Sequence, residues 1–150
     1  MKRFVLALAA AAAATFALPA AAQFQKPEDA IKYRKAAFTV MGTHMGRLGA
    51  MAQGKAPFDA KAAEFNASVI AAVYHLPYTA FGDDTKSGDT RAKPEVWSNQ
   101  ADFKKKADDM RVAVDKLVAA SKTGSLDALK GAVGDTGKTC KGCHDDYRKE

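Results

Sequence analysis

Cysteine is scarce in this sequence, with two among 150 residues. Two thiols cannot staple a disulfide-dense scaffold. The length is that of one domain, which excludes a multidomain enzyme. Only one long apolar run exists, at the N-terminus, and this excludes a polytopic membrane protein. No apolar/polar alternation of strand period extends beyond a few residues, and no internal repeat is present. Lys+Arg outnumber Asp+Glu by 23 to 17, a formal charge of +6. These charges form no stripe, so nothing points to nucleic acid. Apolar residues make up 47%, enough to build a core.

The N-terminal run has its own logic. Lys2 and Arg3 precede an uncharged stretch from Phe4 to Leu18, and Ala20, Ala21 and Ala22 follow before Gln23. Positive residues, a short apolar core and small residues at a cleavage point are the layout of a secretory signal peptide. The run is too short for a membrane anchor, which takes about 20 apolar residues. Residues 1–22 are therefore expected to be removed, leaving a mildly basic domain over 23–150 with no membrane span. Export would bring both cysteines into an oxidising compartment, the periplasm.

Helix signals dominate the rest. Pro27, Glu28 and Asp29 favour a helix start. Arg34, Phe38, Met41, Met45, Leu48 and Ala52 then recur at spacings of four and three, one stripe on one face, and Gly54 ends the stretch. A second helix is predicted from Phe58 to about Leu76, with Phe58, Ala62, Phe65, Val69, Val73 and Leu76 inward and Pro77 as its stop. Ser98 reads as the N-cap of a third helix with Phe103, Ala107, Met110, Val114 and Leu117 inward. Lys104, Lys105 and Lys106 read as its solvated face. Ser125 caps a fourth helix, with Leu126, Leu129, Val133, Cys140, Cys143 or His144, and Tyr147 inward. Gly131, Gly134 and Gly137 weaken it by about 1 kcal/mol each relative to alanine, a loss that packing or a bound group must offset. The expected fold is all-α, an antiparallel four-helix bundle. The long connection from Pro77 to Trp97 is the exception to its short loops, and such a loop is usually functional or packed onto something.

One motif carries chemistry. Cys140-Lys141-Gly142-Cys143-His144 is C-x-x-C-H, the attachment motif of c-type haem. On a helix, positions 140, 143 and 144 share a face. Two thiols can add to two vinyl groups of one porphyrin while the imidazole reaches the iron. Two other readings compete. A thioredoxin-type dithiol would open a helix beside a strand, and no strand pattern is present. Zinc needs four ligands, and no second cysteine pair exists. A sixth iron ligand would have to come from upstream of the motif. The candidates are Met41, Met45, Met51, Met110, His44 and His75, although methionine on a core stripe is more often gap-filling.

The chain resembles the cytochrome c′ family, the high-spin branch of the class II c-type cytochromes. The resemblance rests on Lys26-Pro-Glu-Asp-Ala-Ile-Lys-Tyr-Arg34, Phe38-Thr-Val-Met-Gly-Thr-His44, Lys93-Pro-Glu-Val-Trp97 and Cys140-Lys-Gly-Cys-His-Asp-Asp-Tyr-Arg148. It implies one covalently bound haem c, thioethers at Cys140 and Cys143, and His144 as axial ligand. It sets Phe38, with Met41, in the distal pocket over a vacant sixth position, where low-spin relatives carry a ligating methionine. It assigns Arg34 to a haem propionate, with Lys35 and Arg91 as further propionate contacts, and Arg148 to the proximal side. Lys35 departs from the glutamine often found at its position.

The function expected is a non-enzymatic periplasmic haem protein. Its five-coordinate iron would bind small diatomic gases, nitric oxide or carbon monoxide, and exchange single electrons with an unidentified redox partner. A dedicated low-spin electron carrier is the alternative. Peroxidase chemistry would want a distal acid–base residue, and only Arg34 lies on the stripe. The resemblance also implies a homodimer through the first two helices, where Gly42 and Gly46 would permit close helix approach.

Overall fold

The computed structural model describes residues 24–150. The expected signal peptide, residues 1–22, lies outside them. Four long helices form the bundle: α1 (Pro27–Ala52), α2 (Ala60–Val73), α4 (Gln100–Lys122) and α5 (Leu126–Tyr147), with a short α3 (Glu95–Ser98) ahead of α4. Among the described residues there is no strand beyond one isolated bridge between Ala92 and Arg148. No described helix is long and apolar enough to cross a membrane.

The helix ends follow the local chemistry. Pro27 opens α1 with Glu28 and Asp29 in its first turn. Asp59 accepts from Ala62 N–H at 2.9 Å and caps α2, and Ser125 caps α5 through Ala128 N–H. Gly54 after α1 and Gly124 after α4 have φ of 72° and 67°, the left-handed conformation that a non-glycine residue enters at a cost. Ser98 is not the N-cap that the sequence suggested. Pro94 and Glu95 are themselves a helix start, so Ser98 ends α3 and Asn99 stands at the cap of α4.

The core sits toward one end of the bundle. Leu48, Ile70, Val114, Leu117 and Leu129 are fully buried there, joined by Met51, Ala63 and Ala67, and Met41 and Met110 form its boundary with the rest of the bundle. On α1 the predicted Arg34, Met41 and Leu48 are buried and Phe38, Met45 and Ala52 half-buried, while Ile31, Ala37 and Met51 widen the buried face. The α2 face is displaced from the predicted one. Ala63, Asn66, Ala67 and Ile70 are its buried residues, and Phe65 is 59% exposed. Large apolar residues suggested the face, but the only large apolar residue fully buried on α2 is the neighbouring Ile70, beside two alanines and Asn66.

A Cβ built on Gly42 or Gly46 meets nothing within 4 Å, so neither serves close helix approach within the chain. The same holds for Gly131, Gly134 and Gly137. With open space and ordinary helical backbone, Gly134→Ala is expected to raise unfolding stability by about 0.5–1 kcal/mol, read from chemical denaturation.

Candidate functional site

At the other end of the bundle the helices enclose a cavity of about 580 Å³. That lies within the range of roughly 300–1,000 Å³ usual for cofactor sites. From α5 come Cys140, Cys143, His144 and Tyr147, and from α1 come Arg34, Phe38, Met41 and Met45. Tyr78 and Phe81 enter from the long loop and Phe103 from α4. Phe103 makes edge contacts with Tyr78, Phe81 and Tyr147, with ring centroids 5.9, 5.1 and 5.1 Å away. The wall is therefore aromatic and apolar, with its polar groups at one end.

Helix periodicity delivers the three motif side chains together. Cys140 and Cys143 are free thiols, half-buried like His144. Burial pushes the Cys143 thiol up to about 11 and that of Cys140 upward. Burial, then the charge of Arg148 and more weakly that of Arg91, lowers the His144 pKa. At neutral pH His144 is thus the neutral imidazole that coordinates metal. Two contacts from α4 brace this end of α5. Tyr147 Oη donates to Asp102 at 2.6 Å, and Lys106 pairs with Asp146 at 2.8 Å.

The cavity's other wall depends on Arg34. This residue is 2% exposed, yet its four terminal N–H groups all meet neutral oxygens. Nη1 donates to Ala80 O (2.8 Å) and Thr85 Oγ1 (2.7 Å), and Nη2 to Thr85 O (3.1 Å) and Thr90 Oγ1 (2.8 Å). The guanidinium lies 4.3 Å from the Phe81 ring centroid and 5.8 Å from that of Trp97. Trp97 Nε1 in turn donates to Phe81 O and Gly82 O. Arg34 therefore nails the Pro77–Trp97 loop over the cavity, and only its Nε is left for a propionate. Lys35 pairs with Asp89 at 2.6 Å on the rim. Arg91, also on the rim, uses Nε on Lys149 O at 3.0 Å. Among the described residues its terminal nitrogens have no partner, which makes it the freest of the three propionate candidates.

The competing readings of the motif lose ground here. The cysteines lie in the last turns of α5 rather than opening a helix beside a strand. Among the described residues no group of three or more His, Cys, Asp or Glu could hold a metal ion by itself. Of the sixth-ligand candidates, Met41, Met45 and Met110 line the cavity, whereas Met51, His44 and His75 do not. His44 is instead bonded to Asn66 at 2.7 Å.

The cytochrome c′ family model matches residues 29–148. The chain belongs to the cytochrome c′ family. It is 56% identical over 129 residues to cytochrome c′ of Rubrivivax gelatinosus, covering 85% of this chain and 100% of the relative. It is 47% identical over 128 residues to that of Alcaligenes xylosoxydans xylosoxydans, covering 85% and 99%. The crystal structure of the Rubrivivax protein superposes with a TM-score of 0.82, over the same 85% and 100%. A nitric oxide complex of an Alcaligenes xylosoxidans cytochrome c′ variant superposes at 0.80 with 45% identity, covering 85% and 99%.

The cofactor of this cytochrome c′ is accordingly covalently bound haem c. The residues present fit that group, because the cavity has cofactor size, an apolar aromatic wall, two free thiols and a neutral imidazole on one helix face. Cys140 and Cys143 would hold the porphyrin edge and His144 the iron. Sequence reasoning missed Thr85 and Thr90, the acceptors of Arg34, and Asp102, the acceptor of Tyr147. The length of the loop and its aromatic residues were the available signal for the first two. Replacing Arg34 strands several buried acceptors. Arg34→Met is expected to cost about 3 kcal/mol of unfolding stability, measured by denaturant titration of the holoprotein.

Proposed function

We propose that this cytochrome c′ carries five-coordinate haem iron, with His144 as its one protein ligand and Phe38 over the open face. The observation that carries the reading is the cavity wall. The α1 residue that the family resemblance sets over the iron is a half-buried phenylalanine, held edge-on against Tyr78 at 6.5 Å. Met41 and Met110 are 6% and 4% exposed and belong to the hydrophobic core, which favours packing over ligation.

Bound haem supplies the redox and gas-binding centre. The polypeptide's part is exclusion and orientation. A phenyl ring donates no hydrogen bond, so an apolar wall disfavours water and bound dioxygen and leaves nitric oxide and carbon monoxide as ligands. Arg148, whose N–H closes on His144 O at 3.0 Å, places a cation beside the imidazole. The nitric oxide complexes of the Alcaligenes variants support the same ligand class. The protein binds and releases gas, transfers single electrons and performs no catalytic turnover.

Three further parts belong to this reading. Residues 1–22 are a cleaved signal peptide and 23–150 the periplasmic domain. In support, the Rubrivivax relative matches over its whole length and leaves 15% of this chain unmatched. The protein is a homodimer through α1 and α2, where Val40 and Phe65 are 38% and 59% exposed and His44 lies 6.1 Å from Phe65. Its electrons pass to a separate redox partner. A low-spin electron carrier is the second reading, favoured by the three methionines that line the cavity.

Absorption spectra of the ferric, dithionite-reduced and carbon monoxide-treated protein separate the two. A high-spin ferrous spectrum that shifts with carbon monoxide is expected, and a low-spin spectrum indifferent to the gas would establish the carrier instead. In the same titration Phe38→Ala is expected to take up carbon monoxide at least about tenfold faster, a barrier change of about 1.4 kcal/mol. Light scattering is expected to give twice the chain mass for the mature protein and a single chain mass for Phe65→Asp. A monomeric parent would remove the dimer from the reading.

A further inference from the structure

The last stretch of the long loop is sewn to the end of α5, beyond the haem motif. Lys93 N–H donates to Tyr147 O at 2.9 Å, and Lys149 N–H to Arg91 O at 2.8 Å, which makes the Ala92–Arg148 bridge. Two side chains reinforce it. Arg91 Nε donates to Lys149 O at 3.0 Å, and Lys93 Nζ to Asp145 O at 2.7 Å. Asp145 directly follows His144. One residue before Arg91, Thr90 accepts from Arg34 at 2.8 Å. A continuous hydrogen-bonded path therefore runs from α1, through residues 90–93, to the turn that carries His144.

Carbonyl groups in the last turn of a helix need partners from outside it, and water is sufficient. Here Asp145 O and Tyr147 O are taken instead by one residue of the loop, Lys93. The turn bearing the imidazole is thus held by the loop as well as by α4, whose Asp102 and Lys106 meet Tyr147 and Asp146. For the ring to swing away from an iron atom, that turn must give, or the side chain must move alone within a fixed backbone.

Resting on the gas-binding reading, we infer that Arg91 and Lys93 are positioning residues for His144, and that their clamp sets how readily the imidazole is displaced when nitric oxide binds. In that displacement an iron–nitric oxide bond forms and the iron–imidazole bond breaks. The imidazole leaves with its lone pair, and no net electron transfer is required. Carbon monoxide binding without loss of the imidazole is the control.

The test uses the haem-loaded protein and the variants Arg91→Met, Lys93→Met and their combination. Three signals are read: amide exchange over residues 145–149, the iron–imidazole stretching frequency of the gas-free ferrous form, and conversion of the nitric oxide complex from six- to five-coordinate. In the double variant, exchange at Arg148 and Lys149 is expected to quicken about tenfold. The stretch moves to lower frequency. In Lys93→Met, which leaves Arg91 in place, conversion quickens by about tenfold while carbon monoxide association changes by less than about twofold. Lys93→Arg, which can still donate to Asp145 O, behaves as the parent.

Faster exchange with an unchanged stretch and unchanged conversion would overturn the proposal, leaving the clamp as a purely structural brace. Unchanged exchange would overturn it too. A parent protein that takes up neither gas would sink the gas-binding reading alone, since exchange and the stretch would still decide whether the clamp positions His144.

Discussion

Arg34 carries a positive charge into the protein and sets all four terminal N–H groups on neutral oxygens of one loop. No carboxylate pairs with it among the described residues. Desolvating a guanidinium is costly, and its hydrogen bonds and the faces of Phe81 and Trp97 offset that cost only while the loop keeps one shape. The loop is therefore specified by a residue some fifty positions upstream. Because the same loop supplies Tyr78 and Phe81 to the cavity wall and Arg91 to its rim, the cavity inherits its form from that one side chain.

The two ends of the bundle divide the work. At one end Leu48, Ile70, Leu117 and Leu129 close the helices on each other with no exposed surface left. Toward the other end α1, α4 and α5 stand apart around apolar rings and two thiols. Gly134 and Gly137 on α5 face Gly46 and Gly49 on α1 across an open groove rather than a close contact. Helix α5 tolerates these glycines because its ends are held, by the Ser125 cap at one and by Tyr147, Asp146 and the loop at the other. A haem attached to α5 would thus be anchored on a helix fixed at both termini.

Much of this was legible in advance. The α1 stripe, the Ser125 cap and the C-x-x-C-H motif are local patterns whose meaning depends on spacing alone. The α2 face differs from the predicted one because hydrophobic size is a poor guide there. Phe65 outweighs Ala63 in any apolar count, yet a helix packed between two neighbours buries what fits, and alanine fits. Ser98 ends a short helix rather than opening one because Pro94 and Glu95, inside the predicted loop, are a start signal in their own right. Arg34 stands out on the α1 stripe, but its partners do not, because Thr85 and Thr90 carry no pattern that distinguishes them from other loop threonines.

Local chemistry by itself determined that this chain would be helical, where its first and last long helices would begin, and which three side chains would share a face of the last one. Those properties depend on neighbours three or four residues apart, and such neighbours are visible along a line. Tertiary structure alone decided which donors of Arg34 were already taken, which methionines reach the cavity, and that residues 91–93 would lie against the turn of His144. These are distances between residues dozens of positions apart, set by how the helices stand against one another, and no periodicity in the sequence encodes them.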